Sequence, residues 1–426
     1  MTPFRPESPF AELGDDFSDI VEPADFLMAV LRVRNQRWAE QVGLGALSDE
    51  AWTAHFARFE PLPGAQPQPR AMRYHGHQFQ SYNPNIGDGR GFLLAQMRDA
   101  SGRLLDFGTK GSGQTPYSRF GDGRLTLKGG VREALATAWL EAHGVYTSKT
   151  FSLIETGEQL ARNDEPSPTR SAVLVRLQHS HVRFGTFQRH AYHQRSDLLA
   201  RLVDHCAQVY HPHLLDLEGE ARVAGLVETV ARASARLCAS WMAAGFVHGV
   251  LNTDNMNVTG ESFDYGPWRV LPTADANFTA AYFDDTGLYA YGRQPQAVFW
   301  NIKQLAGALS LICDADALTS AVAVYPQAFA QEQRRLTLRR LGLTLRSEAE
   351  DVALLNAMYG FIARADLSWE GFLHDWFCGP ASAERALKGP RAEAYGSPEF
   401  ADFARLMDAY EPEAPDRLAH PYFAAP

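Results

Sequence analysis

Residues 248–266 read HGVLNTDNMNVTGESFDYG. Between Asn255 and Asp264 lies MNVTGESF, two short alternating segments around Thr259-Gly260, which predicts a β-hairpin that brings the two side chains face to face. An amide oxygen and a carboxylate bridged in this way are hard ligands suited to Mg²⁺ on a nucleotide. Asp254 is the nearest carboxylate able to act as a base, and a turn or cap role is its structural alternative. His248 reads as a packing and hydrogen-bonding residue.

A His followed seven residues later by Asn, and then by an Asp-aromatic-Gly triplet, is the outline of a protein-kinase catalytic segment. Kinases place the catalytic Asp two residues after that His, where this chain has Val250. The metal pair is kept while the usual base is missing.

The rest of the chain is ordered as such a fold requires. FLMAVLRVRNQRWAEQV at 26–42 suits an amphipathic helix, and the proline-rich PLPGAQPQPR at 61–70 breaks it, so 1–70 is expected to be an N-terminal arm and linker. From 71 to 195 short apolar runs punctuated by glycine (GFLLAQM, RLLDFGTK, AVLVRLQ) read as strands, with one helix in VREALATAWLEAHG at 131–144. From 196 to 426 the helical period dominates, with Gly245 a C-cap and a Pro- and Ala-rich tail. The expectation is α+β: a protein-kinase-like bilobal fold with a strand-rich, nucleotide-binding N-lobe and a helical C-lobe that carries the metal site.

Phosphate-binding candidates fall within the strand-rich part. In NPNIGDGRGFLL the glycines Gly87, Gly89 and Gly91 would let backbone N–H groups approach phosphates, and Arg90 adds a charge; plain hairpin chemistry is the alternative. Lys110 ends a strand where a kinase-like fold holds its phosphate-binding lysine, and Glu133 opens the one clear helix of this region, where the partner glutamate belongs. A solvated lysine and a glutamate favoured by the helix dipole are the alternatives. A second turn, Gly121-Asp122-Gly123-Arg124, repeats the GDGR of 87–90, which suggests a grip on phosphates from two sides. In LVRLQHSHVRFGTF, Arg176 and Arg183 could clamp a triphosphate, while His179 and His181, like His75 and His77, lack an accompanying carboxylate or Cys and read as hydrogen-bonded structural residues.

Composition bounds the function. With 426 residues, 45% hydrophobic and 21% charged, the chain is an ordinary globular one. A net charge of -10 argues against nucleic-acid binding, since phosphate-backbone affinity needs clustered Lys and Arg. Four widely spaced cysteines form no CxxC pair, and no basic-apolar leader or membrane-length apolar run is present, so a cytoplasmic protein with no membrane partner is expected.

Taken in order, GDGR, GTKGSGQTPYSR-GDGR, VRE, VRLQHSHVRFGTF and HGVLNTDNM-DYGPW strongly resemble the selenoprotein O (YdiU) family of protein adenylyltransferases, over about residues 20–310. The resemblance implies a pseudokinase fold that binds ATP in a flipped orientation and transfers AMP to protein hydroxyls. It implies that Gly87, Gly89, Arg90, Lys110, Asp122, Gly123, Arg176 and Arg183 hold ATP. Asn255 and Asp264 would hold Mg²⁺ or Mn²⁺, with Asp264 also facing the nucleotide. Asp254 would be the proton acceptor and Glu133 would orient Lys110. ATP and acceptor proteins are the implied partners, and a monomer is favoured. The chain departs from the family in ending RLAHPYFAAP without Cys or selenocysteine, in lacking a Cys near Ala280, and in lacking the Asn-Pro…Arg-Asn helix, which speaks against redox control by a disulfide. An atypical kinase and a silent nucleotide-binding scaffold are the competing functions.

Overall fold

The structure is a computed structural model that describes residues 3–423. Contacts divide the chain into two compact units. The first comprises the residues up to Ser234 together with Leu251–Gly266 and Phe299–Val324, and the second comprises Ala235–Val250, Pro267–Val298 and the residues from Tyr325 onward. These boundaries differ from those expected at 70 and 195.

In the first unit the strands are β1 (Pro6–Glu7), β2 (Ser18–Ile20), β3 (Val30–Arg34), β4 (Arg70–Met72), β5 (Gly76–Gln78), β6 (Ser81–Asn83), β7 (Leu93–Arg98), β8 (Leu104–Lys110), β9 (Leu125–Thr126), β10 (Lys149–Leu160) and β11 (Thr169–Gln178). Nine of them form one antiparallel sheet in the order β2-β4-β7-β8-β11-β10-β3, with β1 on β7 and β9 on β11. The expected arm is therefore part of the sheet. The expected helix over 26–42 is also corrected: Val30–Arg34, rich in β-branched residues, pairs with β10, and only Gln36–Gln41 (α1) is helical, started by the Asn35 side chain accepting from Trp38 N–H. Edge pairing outweighed the apolar period because β10 offered a free ladder.

Side-chain alternation places the chemistry. On β11, Val173, Val175 and Leu177 enter a core with Phe107, Phe151 and the Trp52 and Phe56 of helix α2 (Asp49–Phe56). Ala172 and Leu174 face the opposite way, into a second core with Leu153. Arg176 follows on that second face, and the register pairs Leu174 with Lys110 and Arg176 with Gly108, so both cations point to one side of the sheet. Helix α3 (Leu127–Ala142) lies on that side. Its Gly130 lets it come close, since a Cβ there would lie 2.4 Å from Leu153 Cδ1, and this approach brings Glu133 to the cations.

β5 and β6 form a separate hairpin joined by Phe79 (φ +50) and Gln80 (φ +63). A two-residue turn of this hand favours Asn-Gly, so the side chains here each cost about 1–2 kcal/mol. Helices α4 (Phe184–Tyr192) and α5 (Ser196–Val209) follow β11, so residues just after 195 also belong to this unit.

The second unit is mainly helical, with Tyr325–Arg340, Glu348–Arg364 and Pro398–Met407 among its helices and a two-stranded pair, β12 (Phe246–Val247) with β13 (Arg269–Val270). Gly245, at φ +66, ends the helix Gly219–Ala244 and packs against Trp369, as a C-cap glycine does. His248 donates its backbone N–H to Gln294 Oε1 and packs its ring on Trp241, which is a packing role. Among the described residues no helix is long and apolar enough to cross a membrane.

Candidate active site

The loop 251–266 belongs to the first unit rather than to the helical one. It does not form the expected hairpin. Asn257 bridges Arg183, Ser262 bridges Thr147, and Ser262 N–H donates to Tyr146 O, so the two arms pair with neighbouring chain, while the turn between them closes locally through Gly260 N–H to Asn257 O and through Thr259 and Glu261 N–H to Asn257 Oδ1. The consequence expected of the hairpin still arises by this other route: Asn255 Nδ2 lies 3.4 Å from Asp264 Oδ2.

Asp264 is the centre of the cluster. Its Oδ1 accepts from Lys110 Nζ at 2.6 Å and from Arg176 Nη1 at 3.2 Å, and its Oδ2 lies 3.7 Å from Arg183 Nη1. Burial alone would raise its pKa, but Lys110, Arg176 and Arg183 hold the carboxyl well below the usual range. Its φ of +63 is a left-handed conformation that packing must enforce. Lys110 also donates to Glu133 Oε1, so the lysine and the helix glutamate pair as the sequence suggests.

Arg183 precedes α4 and is 3% exposed. It donates to Asp254 O at 2.7 Å and to Asp88 Oδ1 at 3.3 Å, between the rings of Tyr74 and Phe263, whose centroids are 4.6 and 4.8 Å away. Burial opposes its charge, but Tyr74, Asp88, Asp264 and Asp254 outweigh burial and raise its pKa. The Nε atoms of Arg176 and Arg183 are buried without a protein partner. Buried cationic donors left unmet are suited to an anionic ligand.

Asp254 and Asn255 lie in a 3₁₀ turn, Thr253–Asn255, and the Oδ1 of each is buried without a hydrogen-bond partner. Burial, opposed by Arg183 and reinforced by Asp264, lifts Asp254 to about 6. One carboxylate oxygen of Asp254 is thus left unmet, while the group also accepts a local backbone hydrogen bond of the kind a turn residue makes. The donor set also fits Mg²⁺ or Mn²⁺: an orphaned amide oxygen on Asn255 beside the Asp264 carboxylate offers hard ligands, and Mg²⁺ sites use one or two carboxylates with substrate phosphates completing the shell. Among the described residues no group of three or more His, Cys, Asp or Glu is placed to hold a metal.

The glycine turns divide. Gly87 packs under the Tyr117 ring and Gly89 under the Tyr117 carbonyl, and the exposed Arg90 uses its carbonyl to accept from Gly111 N–H at 2.6 Å. The first turn thus lies beside the end of β8 and sends Asp88 to Arg183. The second turn is not brought to the cluster by any side chain: Asp122 pairs with Arg162 at 2.8 Å, and Gly123 packs against the Gly113 backbone. Asp88 was missed by sequence reasoning, although its place in the repeated GDGR was a usable signal. Nothing local announced the ring sandwich on Arg183. The four histidines have side-chain partners: His75 with Tyr82, His77 with Gln188, His179 with Tyr146, and His181 with Asp106.

Glu261, within the same loop, accepts from His179 N–H at 2.7 Å and is buried. Burial pushes its carboxyl up to about 7 despite that bond and the charges of Lys149 and Arg103. The folded state therefore holds this proton more tightly than the unfolded chain does. Its stabilising effect is full below about pH 4.5 and is lost as pH rises through about 7, a change of about 3 kcal/mol. Glu261→Gln, neutral throughout, is expected to gain about that much stability over the parent between pH 4.5 and pH 8. Urea denaturation of both proteins at the two pH values checks this, and parallel pH profiles would contradict it.

The family model described as protein adenylyltransferase SelO matches residues 3–378. A protein nucleotidyltransferase YdiU of Synechococcus elongatus is 48% identical over 377 residues, covering 87% of this chain and 74% of that protein. Another YdiU, of Synechocystis, is 49% identical over 342 residues, covering 79% of this chain and 71% of that one. The solved structure of ROP2 from Toxoplasma gondii, described as a virulence factor with a protein-kinase fold and no enzymatic activity, is 9% identical with a TM-score of 0.28, over 80% of this chain and 84% of that one. That last likeness is too distant to bear on the site.

Proposed function

The chain belongs to the protein adenylyltransferase SelO family, and on that premise we propose that it transfers AMP from ATP to Ser, Thr or Tyr hydroxyls of other proteins, releasing pyrophosphate. One observation carries the reading. Three cations, Lys110, Arg176 and Arg183, gather on one carboxylate, Asp264, while two buried oxygens beside it, on Asp254 and Asn255, have no partner.

In this reading Lys110, Arg176 and Arg183 bind the phosphates, and Glu133 keeps Lys110 oriented. Gly87, Gly89 and Arg90 border the phosphates from the first turn, and Asp122 and Gly123 of the second turn act through the backbone they shape around Gly113. A divalent cation, Mg²⁺ or Mn²⁺, held by Asn255 and Asp264, would supply charge neutralisation at the phosphate oxygens. The acceptor hydroxyl oxygen forms a bond to the α-phosphorus as the bond from that phosphorus to the bridging oxygen of pyrophosphate breaks. Asp254 Oδ1 takes the hydroxyl proton. The buried guanidinium and ammonium groups are fixed before the reaction, so they stabilise developing charge with little reorganisation. Val250 needs no replacement at its own position, because Asp254 supplies the carboxylate. The four cysteines are free thiols, which accords with a reducing cytoplasm.

The test is incubation with ATP labelled at the α- or the γ-phosphate, with Mg²⁺ or Mn²⁺ and a general protein acceptor such as casein. Acid-stable label from the α-position alone is the expected outcome. Transfer of γ-label would instead favour an atypical kinase with ordinary ATP orientation, and absence of both would leave a nucleotide-binding scaffold.

A further inference from the structure

We infer that the β5–β6 hairpin, Gly76–Asn83, is the acceptor-side wall of the site, and that it receives a polypeptide segment with an aromatic residue next to the modified hydroxyl. This rests on the AMP-transfer reading above.

The hairpin is fastened to the turn that carries the proposed base. His77 N–H donates to Thr253 Oγ1 at 2.7 Å, Thr253 O–H donates to Gln188 Oε1 at 2.7 Å, and Phe79 N–H donates to Asn252 Oδ1 at 3.0 Å. Gln188 Nε2 lies 2.8 Å from His77 Nδ1, which closes a ring of polar contacts between hairpin, helix α4 and turn. Gly76 faces the base directly, for a Cβ there would lie 3.0 Å from Asp254 Oδ1 and 3.2 Å from Thr253 Oγ1. The bare backbone leaves room at the one buried oxygen of Asp254 that has no protein partner, which is where an incoming hydroxyl must arrive.

The hairpin tip is kept in a costly shape. Phe79 and Gln80 both hold positive φ, where Asn-Gly would be relaxed. That strain keeps a phenylalanine, 36% exposed, at the tip two residues from the turn's contact with Thr253. Farther down the hairpin, Tyr192, 55% exposed, stacks at 5.6 Å on Tyr82, and the Trp300 ring lies 5.1 Å from that of His77. The segment GHQFQSYN contains no Asp, Glu, Lys or Arg, although the chain as a whole carries -10. The hairpin's own surface is aromatic and uncharged, and the neighbouring Arg189 is turned to His75, with its Nη1 3.0 Å from that ring's Nε2, so an apolar, ring-bearing neighbour matches the hairpin better than a charged one.

The experiment starts from protein that labels casein from the α-phosphate of ATP; if it does not, the transfer reading itself fails. Two peptides are then compared, Lys-Lys-Ala-Phe-Ser-Ala-Ala and Lys-Lys-Ala-Asp-Ser-Ala-Ala. The parent is expected to use the first with a kcat/KM about tenfold higher. The double variant Phe79→Asn, Gln80→Gly relaxes the turn, so it is expected to melt at a higher temperature and yet to lose the preference, through KM for the peptide and not through Kd for ATP. Phe79→Tyr should keep the preference. Equal use of the two peptides by the parent, use of neither, an unchanged preference in the double variant, or a loss that appears in Kd for ATP would each overturn the assignment.

Discussion

Asp264→Ala is expected to abolish transfer of α-label to protein, with a fall of about 10³-fold or more in kcat/KM, because it removes both the proposed metal ligand and the anion around which the three cations gather. Binding of ATP is expected to respond differently. Lys110 at 2.6 Å and Arg176 at 3.2 Å are occupied by this carboxylate, so removing it frees cations for phosphates while withdrawing the metal's contribution. Affinity for ATP measured without divalent cation should therefore be equal or greater in the variant, whereas the gain on adding Mg²⁺ or Mn²⁺ should shrink. Deleting one partner of a buried ion cluster also costs about 3–5 kcal/mol of stability. Asp264→Asn is the control, since Asn tolerates the left-handed backbone at φ +63 and preserves shape while removing the charge. Circular dichroism establishes folding, and label incorporation reads activity. Retained transfer in a folded Asp264 variant would remove Asp264 from the metal assignment.

Asp254→Asn is expected to lower kcat by about 10²–10⁴-fold, the range for loss of a positioned general base, with little change in Kd for ATP. The contact from Arg183 goes to the backbone carbonyl of Asp254 and survives the substitution, so the phosphate cage should stay intact. The unpartnered Oδ1 makes the structural cost small, because no protein hydrogen bond is lost there. Single-turnover measurement of α-label transfer at saturating ATP separates chemistry from binding. A fall of only a few-fold would make Asp254 a turn residue and require another proton acceptor.

The pairing of Lys110 with Glu133 was legible because each feature is local: a strand ending on lysine, then an apolar-periodic helix carrying a glutamate, although the helix begins at Leu127, so that Glu133 lies within it and does not open it. Arg176 was legible for a similar reason, since alternation along AVLVRLQ assigns it a face before any partner is known. The stretch Phe26–Val42 misled because its apolar spacing suits a helix, and only the open edge of β10 turned part of it into a strand. The 255–264 segment misled in mechanism and not in outcome, since its turn residues suit a hairpin while Arg183 and Thr147 provided better partners.

Residue order by itself determined which groups are present, with Asp254, Asn255 and Asp264 close in sequence, and which side of a strand or helix Lys110, Glu133 and Arg176 occupy. Tertiary structure alone decided that Asp88 reaches Arg183, that Asp122 turns to Arg162, and that the loop with Asn255 and Asp264 joins the strand-rich unit and takes the β5–β6 hairpin as its neighbour. The division follows from range. Alternation and helical period act between residues a few positions apart, whereas Arg183 and Asp88 are 95 positions apart and meet only when burial forces each charged group to find a partner.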